Sequence, residues 1–166
     1  LTPDDVRGDF ATLREAVLTR GWPLLENCRG KVLFALDNTG PLREAYLQDH
    51  PSLTRRVMFA SVDQEHPAAA FVKLNDAVGD FDLIQRMVRR GFLVRTRADS
   101  DTRQARANDT STRDKALASG AQFVSTDYPE PDKRFGPYCV RFAGKVVARA
   151  NPLTGRPEWH GRDLDR

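Results

Sequence analysis

Short apolar runs that alternate with amphipathic stretches are the feature that most restricts what this chain can fold into. KVLFALD (31–37), RVMFASV (56–62), AAFVKL (69–74), FLVRTRA (92–98) and AQFVST (121–126) each have strand length and a turn signal beyond them. The intervening stretches carry helical spacing. Val6, Phe10, Leu13 and Val17 line one side of a helix over Thr2 to Arg20, with Thr2 before Pro3 as its N-cap and Gly21 as its stop. Gly40 to His50 reads as a short helix ended by Pro51. Asp80 to Arg90 repeats Phe81, Ile84 and Val88, and Thr112 to Ser119 ends at Gly120. Strands that alternate with helices predict an α/β fold in which parallel strands are covered by helices.

Five such strands in 166 residues fall short of a complete (β/α)8 barrel, which takes roughly 250 residues. The expected fold is therefore a partial TIM-like barrel, read as one domain over residues 1–166. The 40% hydrophobic content is enough for a core of that size. The tail, residues 130–166, is rich in Pro and Gly, with apolar runs at Tyr138 to Phe142 and Val146 to Ala148. It reads as an irregular closing segment or a short hairpin. The chain begins at Leu1, not Met, inside a helical pattern and shows no signal-peptide pattern, which suggests processing, truncation or a fragment. The expected states are an excerpt of a larger protein first, then a complementing N-terminal half or a homo-oligomer that covers the open strand edges. No apolar run has the length of a membrane span. Cys28 and Cys139 lack metal-ligand spacing and are too few for a disulfide scaffold.

Strand parity places the polar groups. Successive side chains on a strand point to opposite faces. Leu33, Ala35 and Asp37 share one face, as do Phe71, Lys73 and Asn75. Leu93, Arg95, Arg97 and Asp99 share another, and so do Phe123, Ser125 and Asp127. The opposite faces, with Val32, Phe34, Leu36, Val72, Leu74, Phe92, Val94 and Val124, suit packing under helices. The first set turns polar toward each strand's C-terminal end, where barrel enzymes build their sites. Asp37, Lys73, Asn75, Arg97, Asp99 and Asp127 combine oxygen ligands for a hard cation with cations that bind phosphate. The competing reading is a structural ion-pair network, which Arg95 in mid-strand fits better. A net charge of +3 leans mildly toward anionic partners but also describes an ordinary mixed surface.

Histidine is scarce. Phosphodiester cleavage through a hydroxyl nucleophile needs a general base and a general acid. His50, His66 and His160 all miss the strand ends, and only His66, in a loop after the second strand, is a candidate.

GWPLLENCRGKVLFALDN (21–38), FLVRTRADSDTRQARANDTSTRDKALASGAQFVSTDYP (92–129) and VVARANP (146–152) resemble the C-terminal half of the calcium-dependent phosphoinositide phospholipase C family. RTRADSDT and GAQFVSTDYP are the most specific pieces. The resemblance implies a distorted (β/α)8 barrel of the PLC-like phosphodiesterase type, a Ca2+ ion at its mouth and hydrolysis of a phosphodiester head group. It also implies a phosphoinositide substrate, transient contact with a membrane surface, and a secreted or extracytoplasmic location. The family's catalytic histidines and most of its Ca2+ ligands lie on strands one to three, with a HNSYH-like motif and a Glu-x-Asp strand that this chain lacks. On that mapping the five strands are the fourth to the eighth. No catalytic residue is expected in the segment, apart from the His66 candidate. Asp37 is the expected metal ligand, and Lys73, Asn75, Arg97, Asp99 and Asp127 are expected to bind substrate.

Two functions compete on these grounds. One is the substrate-binding half of a phospholipase C-like phosphodiesterase, inactive alone and completed by an N-terminal half or a complementing chain. The other is a noncatalytic half-barrel that binds anions or a protein partner. Nucleic-acid binding is not expected, because basic and aromatic residues do not interleave.

Overall fold

Two threonines begin the fold. The Thr2 side chain accepts the Asp5 N–H and the Asp5 carboxylate accepts the Thr2 N–H, a reciprocal cap that starts helix α1 (Pro3–Arg7). Thr12 caps the second helix, α2 (Leu13–Thr19), by accepting the Glu15 N–H at 3.0 Å. Each cap is worth about 1 kcal/mol. The single helix expected over Thr2 to Arg20 is thus two helices. Gly8 at φ 55° stops the first, a conformation other residues rarely adopt. The apolar face survives the break: Val6, Leu13 and Val17 are buried, while Phe10 in the link lies under the Arg20 guanidinium.

The structure, a computed structural model, describes residues 1–142, 144, 146–162 and 164. After α2 come α3 (Leu25–Cys28), β1 (Phe34–Leu36), α4 (Pro41–Leu47), β2 (Met58–Ala60) and β3 (Phe71–Lys73). Then follow α5 (Phe81–Arg89), β4 (Leu93–Arg97), α6 (Arg103–Ala107), α7 (Ser111–Ala118) and β5 (Phe123–Ser125). Among the described residues the tail forms no strand; it has a 3-10 turn at Pro157–Trp159. No helix is long and apolar enough to cross a membrane among the described residues.

The strands pair in parallel, as their alternation with helices requires. Phe34, Ala35 and Leu36 of β1 stand opposite Met58, Phe59 and Ala60 of β2. A parallel bridge links Ser61 to Phe71. A second sheet has the order β3-β4-β5. Leu93 N–H donates to Ala70 O at 2.9 Å and Leu74 N–H to Arg95 O at 2.9 Å. Arg95, Thr96 and Arg97 stand opposite Phe123, Val124 and Ser125.

The chain divides into two compact units, residues 1–73 with 90–93, and residues 74–89 with 94–166. The first buries Leu13, Leu53, Phe59 and Phe92 completely, each worth roughly 1.5–3 kcal/mol. The second has a cluster of Ala77, Ala98 and Ala116 packed by Val124 and Val140, and an aromatic cluster of Tyr128, Tyr138 and Phe135 with Ala105.

Three differences from the sequence reading have physical causes. Helix α6 lies in a stretch without apolar periodicity; its residues bury only Ala105, too few for a periodic signal. Helix α3 buries no residue at all, so it left no pattern to read. Val32 and Phe34, expected under a covering helix, are instead 64% and 57% exposed. β1 belongs to a sheet of two strands, so it has a partner on one side only.

Candidate functional site

The strand ends carry the polar groups that parity selects, and each compact unit holds its own set. In the first unit, Lys73 closes β3 and Asp37 follows β1 directly. The Lys73 Nζ donates to the Asp37 backbone carbonyl and to Asp37 Oδ1, the latter at 2.8 Å. Lys73 is only 15% exposed at its side chain, whereas Asp37 is 82% exposed. Lys73 N–H also donates to Ser61 Oγ at 2.9 Å, which fixes the strand end against the residue after β2. The ammonium is therefore pinned, and the carboxylate faces water on its other side.

His66 lies elsewhere in that unit. It sits in the turn between β2 and β3, where its Nδ1 accepts the Ala68 N–H at 3.1 Å and its backbone carbonyl accepts the Ala69 N–H at 2.9 Å. This is a turn-stabilising role, and it leaves the proton on Nε2. His50 faces the Thr54 carbonyl through Nδ1 at 2.6 Å, and His160 follows the 3-10 turn of the tail. None of the three is joined to Lys73 or Asp37 by a hydrogen bond among the described residues.

In the second unit, Asn75 lies just past β3, Arg95 in the middle and Arg97 at the end of β4, and Asp99 and Asp127 just past β4 and β5. Arg95 Nη1 donates to Asn75 Oδ1, so the mid-strand arginine is tied to its neighbour as the structural reading expects. Opposed residues of a parallel pair share a face, so Arg97 and Ser125 lie side by side. Arg97 is half-buried as a residue, and neither a hydrogen bond nor an ion pair holds its guanidinium among the described residues.

Asp99 is 2% exposed. Its Oδ1 accepts the Asp127 N–H at 2.8 Å, and its Oδ2 accepts the Thr126 hydroxyl at 2.5 Å and the Tyr138 hydroxyl at 3.2 Å. A buried carboxylate is costly unless such donors surround it. Asp99 thus fixes the backbone of Asp127, whose own side chain is exposed. Burial, followed by the Asp99 charge and the hydrogen bond to it, pushes the Tyr138 phenol well above its ordinary range.

A cavity of about 500 Å3 opens beside Asp127, lined also by Asp101, Arg106, Asp132 and Arg134. Phe135 carries both guanidinium groups, Arg106 at 4.4 Å and Arg134 at 5.3 Å from the ring centre. Arg134 holds the Asp132 carboxyl down at about 2, through its side-chain hydrogen bond first and its backbone N–H second. A larger cavity of about 730 Å3, lined by Phe123, Val140, Phe142 and Val147 among others, contains none of the residues that parity selects.

Parity thus found the strand-end residues but missed Tyr138, Arg106 and Arg134. Their only sequence signal is the clustering of aromatic and basic residues in a Pro- and Gly-rich segment. Among the described residues, no group of three or more His, Cys, Asp or Glu side chains gathers to hold a metal, and both cysteines are free.

No characterised protein and no solved structure matches the chain. The sequence profile described as phosphoinositide phospholipase C, Ca2+-dependent, matches residues 1–152. That match spans 152 of 166 residues and includes every strand and both sets of strand-end polar groups. The chain belongs to the calcium-dependent phosphoinositide phospholipase C family.

Proposed function

We propose that this chain supplies the substrate-binding side of a phosphodiesterase site of the phospholipase C type. Its five parallel strands would be the fourth to the eighth of a (β/α)8 barrel. The observation that carries this reading is Arg97: a half-buried arginine at a strand end, opposite Ser125 of the next strand, with no internal counter-ion among the described residues. A guanidinium so placed is matched by an anion from outside, and its planar fork suits two oxygens of a phosphodiester. Asn75 and Arg95 brace one flank, and Asp127, positioned through Asp99, offers an acceptor for a head-group hydroxyl. Lys73 adds a second cation in its own unit.

The family description names calcium. Six to eight oxygens surround a bound Ca2+. The described residues do not gather even three candidate side chains, and Asp37 is already bonded to an ammonium. The residues present do not fit the ion by themselves, so no step is assigned to it here. The chain's own contribution is to bind and orient the diester and to neutralise its charge. Proton transfer is assigned to groups outside these residues, since His50 and His66 bond within turns and His160 lies in the tail. A secreted or extracytoplasmic location and contact with a phosphoinositide-bearing membrane surface follow the family and are part of the proposal.

The histidine placement also favours a second reading, a noncatalytic module that keeps the anion-binding rim. Two measurements on the chain test what both readings share, an anion-binding rim without its own acid-base pair. Glycerophosphoinositol binding should weaken in Arg97→Ala by about 1.5–3 kcal/mol, the worth of a charged hydrogen bond. Turnover of phosphatidylinositol with Ca2+ should be absent. Robust turnover abolished by His66→Ala would place the acid-base group in this chain and overturn the assignment.

A further inference from the structure

We propose that Asp37 is the counter-ion of Lys73 and not a calcium ligand in this chain. The inference stands on the geometry of that pair and not on the phosphodiester reading. Asp37 is the one carboxylate that strand parity puts at the end of β1, where a hard cation would be sought. The cation found there is the Lys73 ammonium. It reaches Asp37 twice, at the backbone carbonyl and at Oδ1, so both kinds of oxygen that a calcium ion would use are donated to by nitrogen.

Lys73 is not a swinging surface residue. Its side chain is 15% exposed, and its backbone is fixed on both sides by β3 and by the Ser61 hydroxyl. A dication at Asp37 would stand within a few ångströms of a fixed ammonium, and like charges at that range repel. It would also find too few oxygens, because no set of three acidic or imidazole side chains surrounds it among the described residues. An ammonium has three hydrogens. Two go to Asp37, and the third remains for an anion. The end of β1 thus carries a built-in cation that balances Asp37 and still presents a hydrogen to phosphate oxygen.

The test follows the Asp37 carboxyl carbon by NMR in chain labelled at aspartate, during addition of CaCl2. In the wild-type chain that signal should move no more than the signal of the exposed Asp9. In Lys73→Met, with no calcium added, the signal should already lie away from its wild-type position, because the ammonium that bonds Oδ1 is gone. A saturable calcium shift of Asp37 in the wild-type chain would overturn the proposal, whether or not the variant folds. An Asp37 signal left at its wild-type position in a folded, calcium-free Lys73→Met chain would overturn it as well, since the ammonium would then not be the counter-ion of Asp37.

Discussion

The Tyr138 hydroxyl donates to Asp99 Oδ2 at 3.2 Å across 39 residues of sequence. The contact ties the Pro- and Gly-rich segment after β5 to the end of β4. Thr126 and the Asp127 backbone share the same carboxylate, so one buried group orders the segment that presents Asp127.

Asp99→Asn would turn an all-acceptor group into one with a misplaced donor, facing three donors. The expected destabilisation is about 1–3 kcal/mol. Tyr138→Phe should cost less, about 1 kcal/mol. Tyr138 also gives a pH signature. Its folded-state value is raised, so the native state keeps a proton that the unfolded state has lost. Stability should therefore fall as pH rises above about 10, the ordinary tyrosine value. Denaturation at pH 9 and pH 11 measures this loss, and Tyr138→Phe should show less of it. An equal loss in both proteins would remove Tyr138 as its cause.

Asp132 makes the opposite case at the acid end. Arg134 holds its carboxyl at about 2, so its deprotonated form persists below the usual carboxylate range. The stabilisation from this pair is present above about pH 4 and lost as pH falls toward the folded value. A carboxyl-detected NMR titration should place Asp132 near its depressed value and move it upward, short of the free value of about 3.9, in Arg134→Ala, where the backbone N–H still donates. An unchanged midpoint in the variant would mean that Arg134 is not the cause.

β5 is the last strand of its sheet. Ser125 O accepts the Ala98 N–H, so alternation turns the Val124 backbone groups toward the other, open side. Phe123 is 49% exposed there and Val147, on the rim of the larger cavity, is 73% exposed. Such an edge recruits another strand. Light scattering on the chain should show concentration-dependent association that Phe123→Lys reduces. A cooperatively melting monomer at all concentrations would show that this edge is protected.

Strand parity was legible because a period of two forces alternate side chains to one face, and the observed pairing of Arg97 with Ser125 agrees with it. The family resemblance was legible in the same strand-end residues. The break at Gly8 was less so, because Val6, Leu13 and Val17 keep helical spacing across it. Asp99 reads on paper as one more rim acid; its burial depends on Tyr138, a partner that no local pattern indicates. Asp37 reads as a metal ligand by its strand-end place alone; its bond to Lys73, 36 residues away, is a partner that no local pattern indicates.

The account rests most heavily on Arg97 as the anion-binding group. Guanidinium NMR of the chain during titration with glycerophosphoinositol measures this directly. The Arg97 Nε–H signal should shift saturably, and more than those of Arg113 and Arg134, whose guanidinium groups already bond within the chain. A saturable shift at other arginines with Arg97 unmoved, or no saturable shift at all, would contradict the proposed site.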